Sequence, residues 1–316
     1  MTRRTVDRWL GAGVLLVIAV TAITAWRVQQ QVQRAPAMAG IPAAAQATAY
    51  REVETIPVTV QQPTALTTGF GMVYIAGQHA IQRHRRTGRR MAADHDRAEA
   101  RGGITAITYG HAAGEAYLAT RDEITRWQDG VTQERWPARP GMVVTGLAVY
   151  RDTLWAADAG NTQVVGFSLD GTCIGTLAGQ DERHGVPGLL LPGGQFDIAV
   201  NQRGEIFITN PGRHRIEVYD RNGTLLRSWG VPSAQPGGFS GCCNPVALAV
   251  MPDGSIITAE KGRGRLQRFS DCGAFQEVVA DLGHGDGFDL AVDGDDIVLL
   301  DIQARLVRVY QRTVSE

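Results

Sequence analysis

The stretch FDIAVNQRGEIFITNPGRHRIEVYDRNGTLLRSWG, Phe196–Gly230, decides how the rest of the chain is read. Its short apolar runs, FDIAV, EIFIT, IEVYD and TLLRSW, are separated by groups that each carry a glycine. Runs of this length between such turns are hairpin-connected strands. The phrase returns as VALAVMPDGSIITAEKGRGRLQRFSDCGAFQEVVA from Val246 to Ala280, and as FDLAVDGDDIVLLDIQARLVRVY from Phe288 to Tyr310, which stops one strand early. Upstream, GLAVYRDTLWAADAGNTQVVGFSLDGTCIGTLAG fits from Gly146, and weaker copies begin near Thr105 and Ala65. Superposing the units at Leu66, Ile107, Leu147, Ile198, Leu248 and Leu290 gives spacings of 41, 40, 51, 50 and 42 residues, the length of one four-stranded blade each.

An array of antiparallel sheets removes its open ends by closing into a ring, so the expected fold is all-β, a six-bladed β-propeller. The last unit lacks a fourth strand, and Glu54–Val60 belongs to no unit. That segment is expected to pair outside Arg305–Tyr310 and seal the ring. Pro57 is tolerated there, because an outermost strand has one row of amides with no partner to lose.

Composition agrees and narrows the function. With 44% hydrophobic residues in 316, the chain can bury a sizeable core, and it is no disordered tail. Lys and Arg total 31 against 32 Asp and Glu, which leaves no cationic surplus for counterion-release binding and argues against a nucleic-acid partner. Residues 1–9 carry Arg3, Arg4 and Arg8, and residues 10–26 follow with no acidic or basic side chain. The eighteen residues from Trp9 through Trp26 would cover roughly 27 Å as a helix, close to the hydrocarbon thickness of about 30 Å, with indole rings at both interfaces. The expectation is an uncleaved signal anchor with its arginines in the cytoplasm. A cleaved signal peptide is the competing reading, on the small-x-small sites Ala35-Pro36-Ala37 and Ala37-Met38-Ala39. Residues 27–50, rich in Ala, Pro and Gln, read as a flexible linker, and residues 51–316 as the propeller.

The phrases FITNPGRHRIEVYDRNGTLLRSWG and WAADAGNTQVVGFSLDG resemble NHL repeats, whose family fold is the six-bladed propeller. The likeness covers about Thr55 to Val314, and in the first two units the turn phrase is absent. More narrowly, FSGCCNPVALAVMPDGSIITAEKGRGRLQRFS is similar to a group of bacterial membrane-anchored NHL-type proteins with Gly-Cys-Cys-Asn-Pro before one blade. The resemblance implies a single-pass protein of the bacterial inner membrane, its propeller on the periplasmic side. It supplies no activity and no cofactor.

Blade geometry sorts the candidates for chemistry. First strands line the central channel, and the loop between second and third strands shares a face with the loop entering the next blade. Gly241-Cys242-Cys243-Asn244-Pro245 is therefore expected beside Pro211–Arg215 and Lys261–Arg265, with Cys173 and Cys272 on the opposite face. Outside the cytoplasm, Cys242 and Cys243 are open to three readings: a turn-stabilising disulfide, a redox pair, or two thiolates for a soft metal, the last without a Cys-x-x-Cys or nearby Cys/His cluster to complete it. Arg213, His214, Arg215, Lys261, Arg263 and Arg265, with Glu260, would border the thiols as a surface for an anion or an acidic partner. The alternative is that these basic turn residues pair with acids of adjacent blades. Arg83–Arg86 with Arg89 and Arg90 reads as a solvated edge.

Catalytic signatures are sparse. Asp158, Asn210, Glu260 and Asp301 each end a second strand, a slot explained by hydrogen bonds to the following turn. Asp197 and Asp289 open first strands and should face the channel mouth; His184 and His284 lie in inter-blade loops. Gly-x-Ser-x-Gly, His-Glu-x-x-His and phosphate-loop motifs are absent from the sequence. The functional expectation is a membrane-tethered protein-binding platform, an accessory or sensor subunit of a membrane complex, with a protein partner at the membrane. The rival is a metal-dependent hydrolase or lyase at the channel mouth.

Overall fold

The computed structural model describes residues 48–87, 90–99, 102–181 and 186–313. They form six four-stranded antiparallel sheets. Blade 1 is Ala65–Gly69, Met72–Ala76, Ala80–Thr87 and Arg90–Glu99; blade 2 is Ala106–Tyr109, Glu115–Ala119, Glu123–Gln128 and Val131–Pro137. Blade 3 is Val144–Tyr150, Thr153–Asp158, Gln163–Ser168 and Cys173–Leu177; blade 4 is Ile198–Val200, Ile206–Asn210, Arg215–Tyr219 and Leu225–Trp229. Blade 5 is Ala247–Val250, Ile256–Glu260, Arg265–Phe269 and Phe275–Asp281. Blade 6 takes Phe288–Asp293, Asp296–Asp301 and Leu306–Arg312 from the end of the chain and Tyr50–Pro57 from its start.

The ring therefore closes with a strand from before the first repeat, as expected, but the strand lies further upstream. Tyr50 pairs with Arg312 and Pro57 with Leu306. Arg51, Glu52 and Glu54 look unlike a strand in sequence, yet an outermost strand keeps one face in water and accepts charge there. Past Pro57 the chain bends toward blade 1. Val58 N donates to Arg305 O at 2.9 Å, and the Arg305 guanidinium donates to the carbonyls of Val58 and Val60.

Every sheet but for its outer edge is covered on both faces by neighbours. The second strands are accordingly buried along their whole length, as in Ile206–Asn210 and Ile256–Glu260, and read as continuous apolar runs. An outer strand such as Leu225–Trp229 alternates between half-buried and exposed residues. The core is distributed over six inter-blade clusters, one per junction. Phe207, Ile216, Phe239, Leu248 and Phe269 fill the junction of blades 4 and 5, and Ile56, Val60, Leu66, Val73, Val298 and Val307 fill the closing junction of blades 6 and 1.

Outer turns lock neighbouring blades together. Gly273 has φ +90°, and a Cβ built on it would stand 2.5 Å from Trp229 Cγ of blade 4. A side chain there would have to displace the indole, so the Cys272-Gly273 turn fits only as glycine. Part of the first-blade basic run departs from the expected solvated edge, while Arg85 is exposed as expected. Arg83 and His84 are buried within Ala80–Thr87, and Arg86 binds Asp293, at 3.2 Å, and Asp296 of blade 6. The strand lies at the closing junction, where its charges meet acids that are more than 200 residues away in sequence. Burial also lowers the His84 pKa.

The expected membrane span, residues 10–26, lies outside the described residues, as does His184. Among the described residues no helix is long and apolar enough to cross a membrane.

Candidate functional site

The six residues used to superpose the repeats, Leu66, Ile107, Leu147, Ile198, Leu248 and Leu290, all fall on first strands around a central channel of about 270 Å³. One position earlier in each repeat stand Ala65, Ala106, Gly146, Asp197, Ala247 and Asp289. Two acids thus interrupt a ring of small residues. Both line the channel, as expected, but their oxygens are already engaged. Asp289 Oδ2 accepts Leu66 N at 2.6 Å and its Oδ1 accepts Leu290 N at 2.9 Å. Asp197 Oδ2 accepts Leu248 N at 2.9 Å and its Oδ1 accepts Ile198 N at 2.7 Å. Each carboxylate fastens its own strand to the first strand of the next blade.

Protein surrounds both groups and disfavours their charge, so the Asp289 pKa is pushed up to about 6, and that of Asp197 rises further under repulsion from Asp289. Among the described residues, no three His, Cys, Asp or Glu side chains gather in a way that could hold a metal ion.

The polar slots ending the second strands are likewise satisfied. Asp158 and Asp301 accept amides of the turns that follow, from Asn161 and Ala304. Asp158 Oδ1 also accepts Val143 N at 3.0 Å from the loop preceding its blade, and Asn210 and Glu260 likewise hold that loop in theirs. Asn210 Oδ1 accepts Leu190 N at 3.0 Å, and Glu260 Oε2 accepts Ser240 N at 2.7 Å.

Around Glu260 this becomes a buried frame. Arg265 Nε donates to Glu260 Oε1 at 2.6 Å, and Gln267 Nε2 to the same oxygen at 2.8 Å. The remaining Arg265 nitrogens donate to Ala234 O and Gly238 O, both at 2.9 Å, and Gly237 N donates to Gln267 Oε1 at 2.7 Å. All three side chains are at most 1% exposed. They fix the path of residues 234–240, the approach to the cysteines.

Asn244, also buried, completes the hold: its Nδ2 donates to Ser240 O at 2.7 Å and Lys261 O at 2.9 Å, and its Oδ1 accepts Lys261 N at 2.8 Å. Between these anchors sit Cys242, exposed, and Cys243, buried, as free thiols with their sulfurs 2.8 Å apart. The hydrogen bond from its neighbour and partial desolvation raise the Cys243 pKa, and Lys261 opposes the rise. A Cβ built on Gly193, in the loop before blade 4, would lie 3.5 Å from Lys261 Nζ and 3.9 Å from Cys243 Cβ. The loop before blade 4 thus passes close to Cys243 and contributes to its burial.

The grouping of the thiols with the blade-5 loop Lys261–Arg265 therefore holds, but its cations are mostly occupied. Arg265 is buried against Glu260, Arg263 pairs with Asp281 at 2.8 Å, and Arg213 donates to the carbonyls of Pro187 and Gly188. Arg215 Nε and His214 Nδ1 are buried with no partner among the described residues. Lys261 is half-buried beside the thiols. Cys173, which accepts from Arg139, and Cys272, beside Ser270, lie away from the pair.

Three residues of this face escaped sequence reasoning. Val143, Leu190 and Val231, in the loops entering blades 3, 4 and 5, are 45%, 51% and 47% exposed. Leu190 O accepts Gly212 N at 2.9 Å and Val231 O accepts Phe239 N at 2.9 Å, so their backbones are held while their side chains meet water. They stand four, eight and seventeen residues before Leu147, Ile198 and Leu248, so the repeat register does not mark them.

No protein-family profile and no curated protein matches the chain. Solved structures do. The WD40 β-propeller domain of Doa1 aligns with TM-score 0.58 at 12% identity, covering 84% of this chain and 97% of that one. A catalytically inactive virginiamycin B lyase from Staphylococcus aureus, in complex with quinupristin, aligns with TM-score 0.56 at 12% identity, covering 83% and 99%. At this identity the likeness is one of fold.

Proposed function

We propose that this chain is an NHL-type propeller, tethered through residues 10–26 to the periplasmic side of a bacterial inner membrane, that binds a protein partner as an accessory or sensor subunit of a membrane complex. The observation that carries the reading is that exposed Val143, Leu190 and Val231 share a face with Cys242, Cys243 and Lys261, whereas Phe70, Val131 and Ile174, exposed at the opposite turns, have no thiol pair beside them. Apolar side chains exposed on rigid loops, with a cation among them, are the makings of a docking patch. Tyr50 starts at the end of blade 6 that carries the opposite turns, since its strand runs antiparallel to Leu306–Arg312.

The channel is the weaker candidate, because the carboxylates that would serve a hydrolase or lyase are engaged by backbone amides. The test is cross-linked purification from native membranes with the Leu190→Asp/Val231→Asp variant. Burying two charges in a contact patch should reduce partner recovery by about tenfold or more while thermal unfolding stays unchanged. An unaltered set of co-purifying proteins would remove the proposal.

A further inference from the structure

We propose that Cys242 and Cys243 act as a dithiol that exchanges reversibly with a disulfide on a protein or peptide docked at the loop face. The geometry separates the roles. Cys242 is exposed and Cys243 is buried, so an incoming disulfide reaches Cys242 first, while Cys243 waits 2.8 Å away. Lys261 and the Gly193 backbone lie against Cys243, and the Glu260–Arg265–Gln267 frame with Asn244 holds the loop still.

In the exchange, the Cys242 thiolate attacks one sulfur of the incoming disulfide. A Cys242–substrate bond forms, and the other substrate sulfur leaves as a thiolate and takes a proton. Cys243, having given up its proton, then attacks the Cys242 sulfur. The mixed disulfide breaks, the Cys242–Cys243 bond forms, and the second substrate sulfur departs and is protonated. The propeller has lost two electrons and two protons; the substrate disulfide has become a dithiol.

The natural substrate rests on the docking reading above, but the chemistry is tested without it. The reduced full-length protein is incubated with oxidised glutathione, quenched by alkylation and mapped by mass spectrometry. Wild type should gain the Cys242–Cys243 disulfide and release reduced glutathione. Cys243→Ser should instead accumulate glutathione on Cys242, and Cys242→Ser should react about tenfold more slowly or less. Lys261→Met should slow the second step, in which Cys243 attacks.

Cys173 and Cys272, exposed single thiols elsewhere, serve as internal controls. A wild type in which they acquire glutathione while the pair stays a dithiol overturns the proposal, as does equal reaction at Cys243 in Cys242→Ser. Should the serine variants unfold, alkylation of wild type alone decides: Cys242 should label about tenfold faster than Cys243, and equal rates count against the assignment. Failure here with cross-linking at the loop face intact removes the exchange and leaves the docking reading standing.

Discussion

In the channel, the oxygens of Asp197 and Asp289 accept backbone amides, and each carboxylate ties one blade to the next. In the loop before blade 5, the buried side chains are just as engaged, yet what they hold in place ends in an exposed thiol beside a half-buried lysine. Both regions concentrate polar groups, but the channel acids tie blades together, whereas the loop presents an exposed thiol. Each carboxylate oxygen in the channel accepts one amide and keeps a second lone pair, so these acids are fixed in place as blade ties.

The frame beneath the thiols should show the largest effect. Glu260→Ala leaves the Arg265 guanidinium buried without its counter-charge, and equilibrium unfolding in denaturant should report a loss of about 3–5 kcal/mol. Glu260→Gln, which keeps an acceptor for Ser240, should lose less. In the channel, Asp289→Ala strips the amides of Leu66 and Leu290 of their acceptor and should cost about 1–3 kcal/mol. Cys242→Ser, by contrast, removes nothing that the fold uses and should stay within about 0.5 kcal/mol of wild type. Equal costs for these last two would erase the distinction between a structural and a functional centre.

Titration sharpens the comparison further. The Asp289 pKa is raised from 3.8 to about 6, so the folded state binds a proton that the unfolded state has released between those values. Its contribution to stability is present below the unfolded pKa and declines as pH rises to about 6. Asp289→Asn should flatten that decline in unfolding midpoints measured against pH. Glu205, held at 2.8 Å by Arg227, has its pKa lowered from 4.5 to about 2 and behaves oppositely: its stabilisation is complete above 4.5 and lost on acidification. Glu205→Gln should flatten only that acid limb. The smallest effect belongs to Arg263→Ala, which breaks an exposed pair with Asp281 and should cost under about 1 kcal/mol.

The architecture was legible because each unit announces its hairpins with turn glycines, and because one missing strand and one orphan segment complement each other. The segment's true start at Tyr50 was hidden by Arg51, Glu52 and Glu54, charged residues that an exposed outer strand accepts. The loop face was legible from blade topology alone. The condition of its cations was not, since Arg213 and Arg265 are satisfied largely by backbone carbonyls, which leave no trace in sequence. Glu260 was read as the acceptor for the turn after it; its engagement with Ser240, twenty residues earlier, required the chain to be folded.

The most direct test places a photo-cross-linking residue at Leu190 on the loop face or at Phe70, which is 62% exposed on the opposite face. Irradiation in native membranes should yield a discrete protein adduct from the Leu190 position and none from Phe70. Adducts of equal yield from both positions, or from Phe70 alone, would contradict the assignment of the partner to the face that carries the thiols.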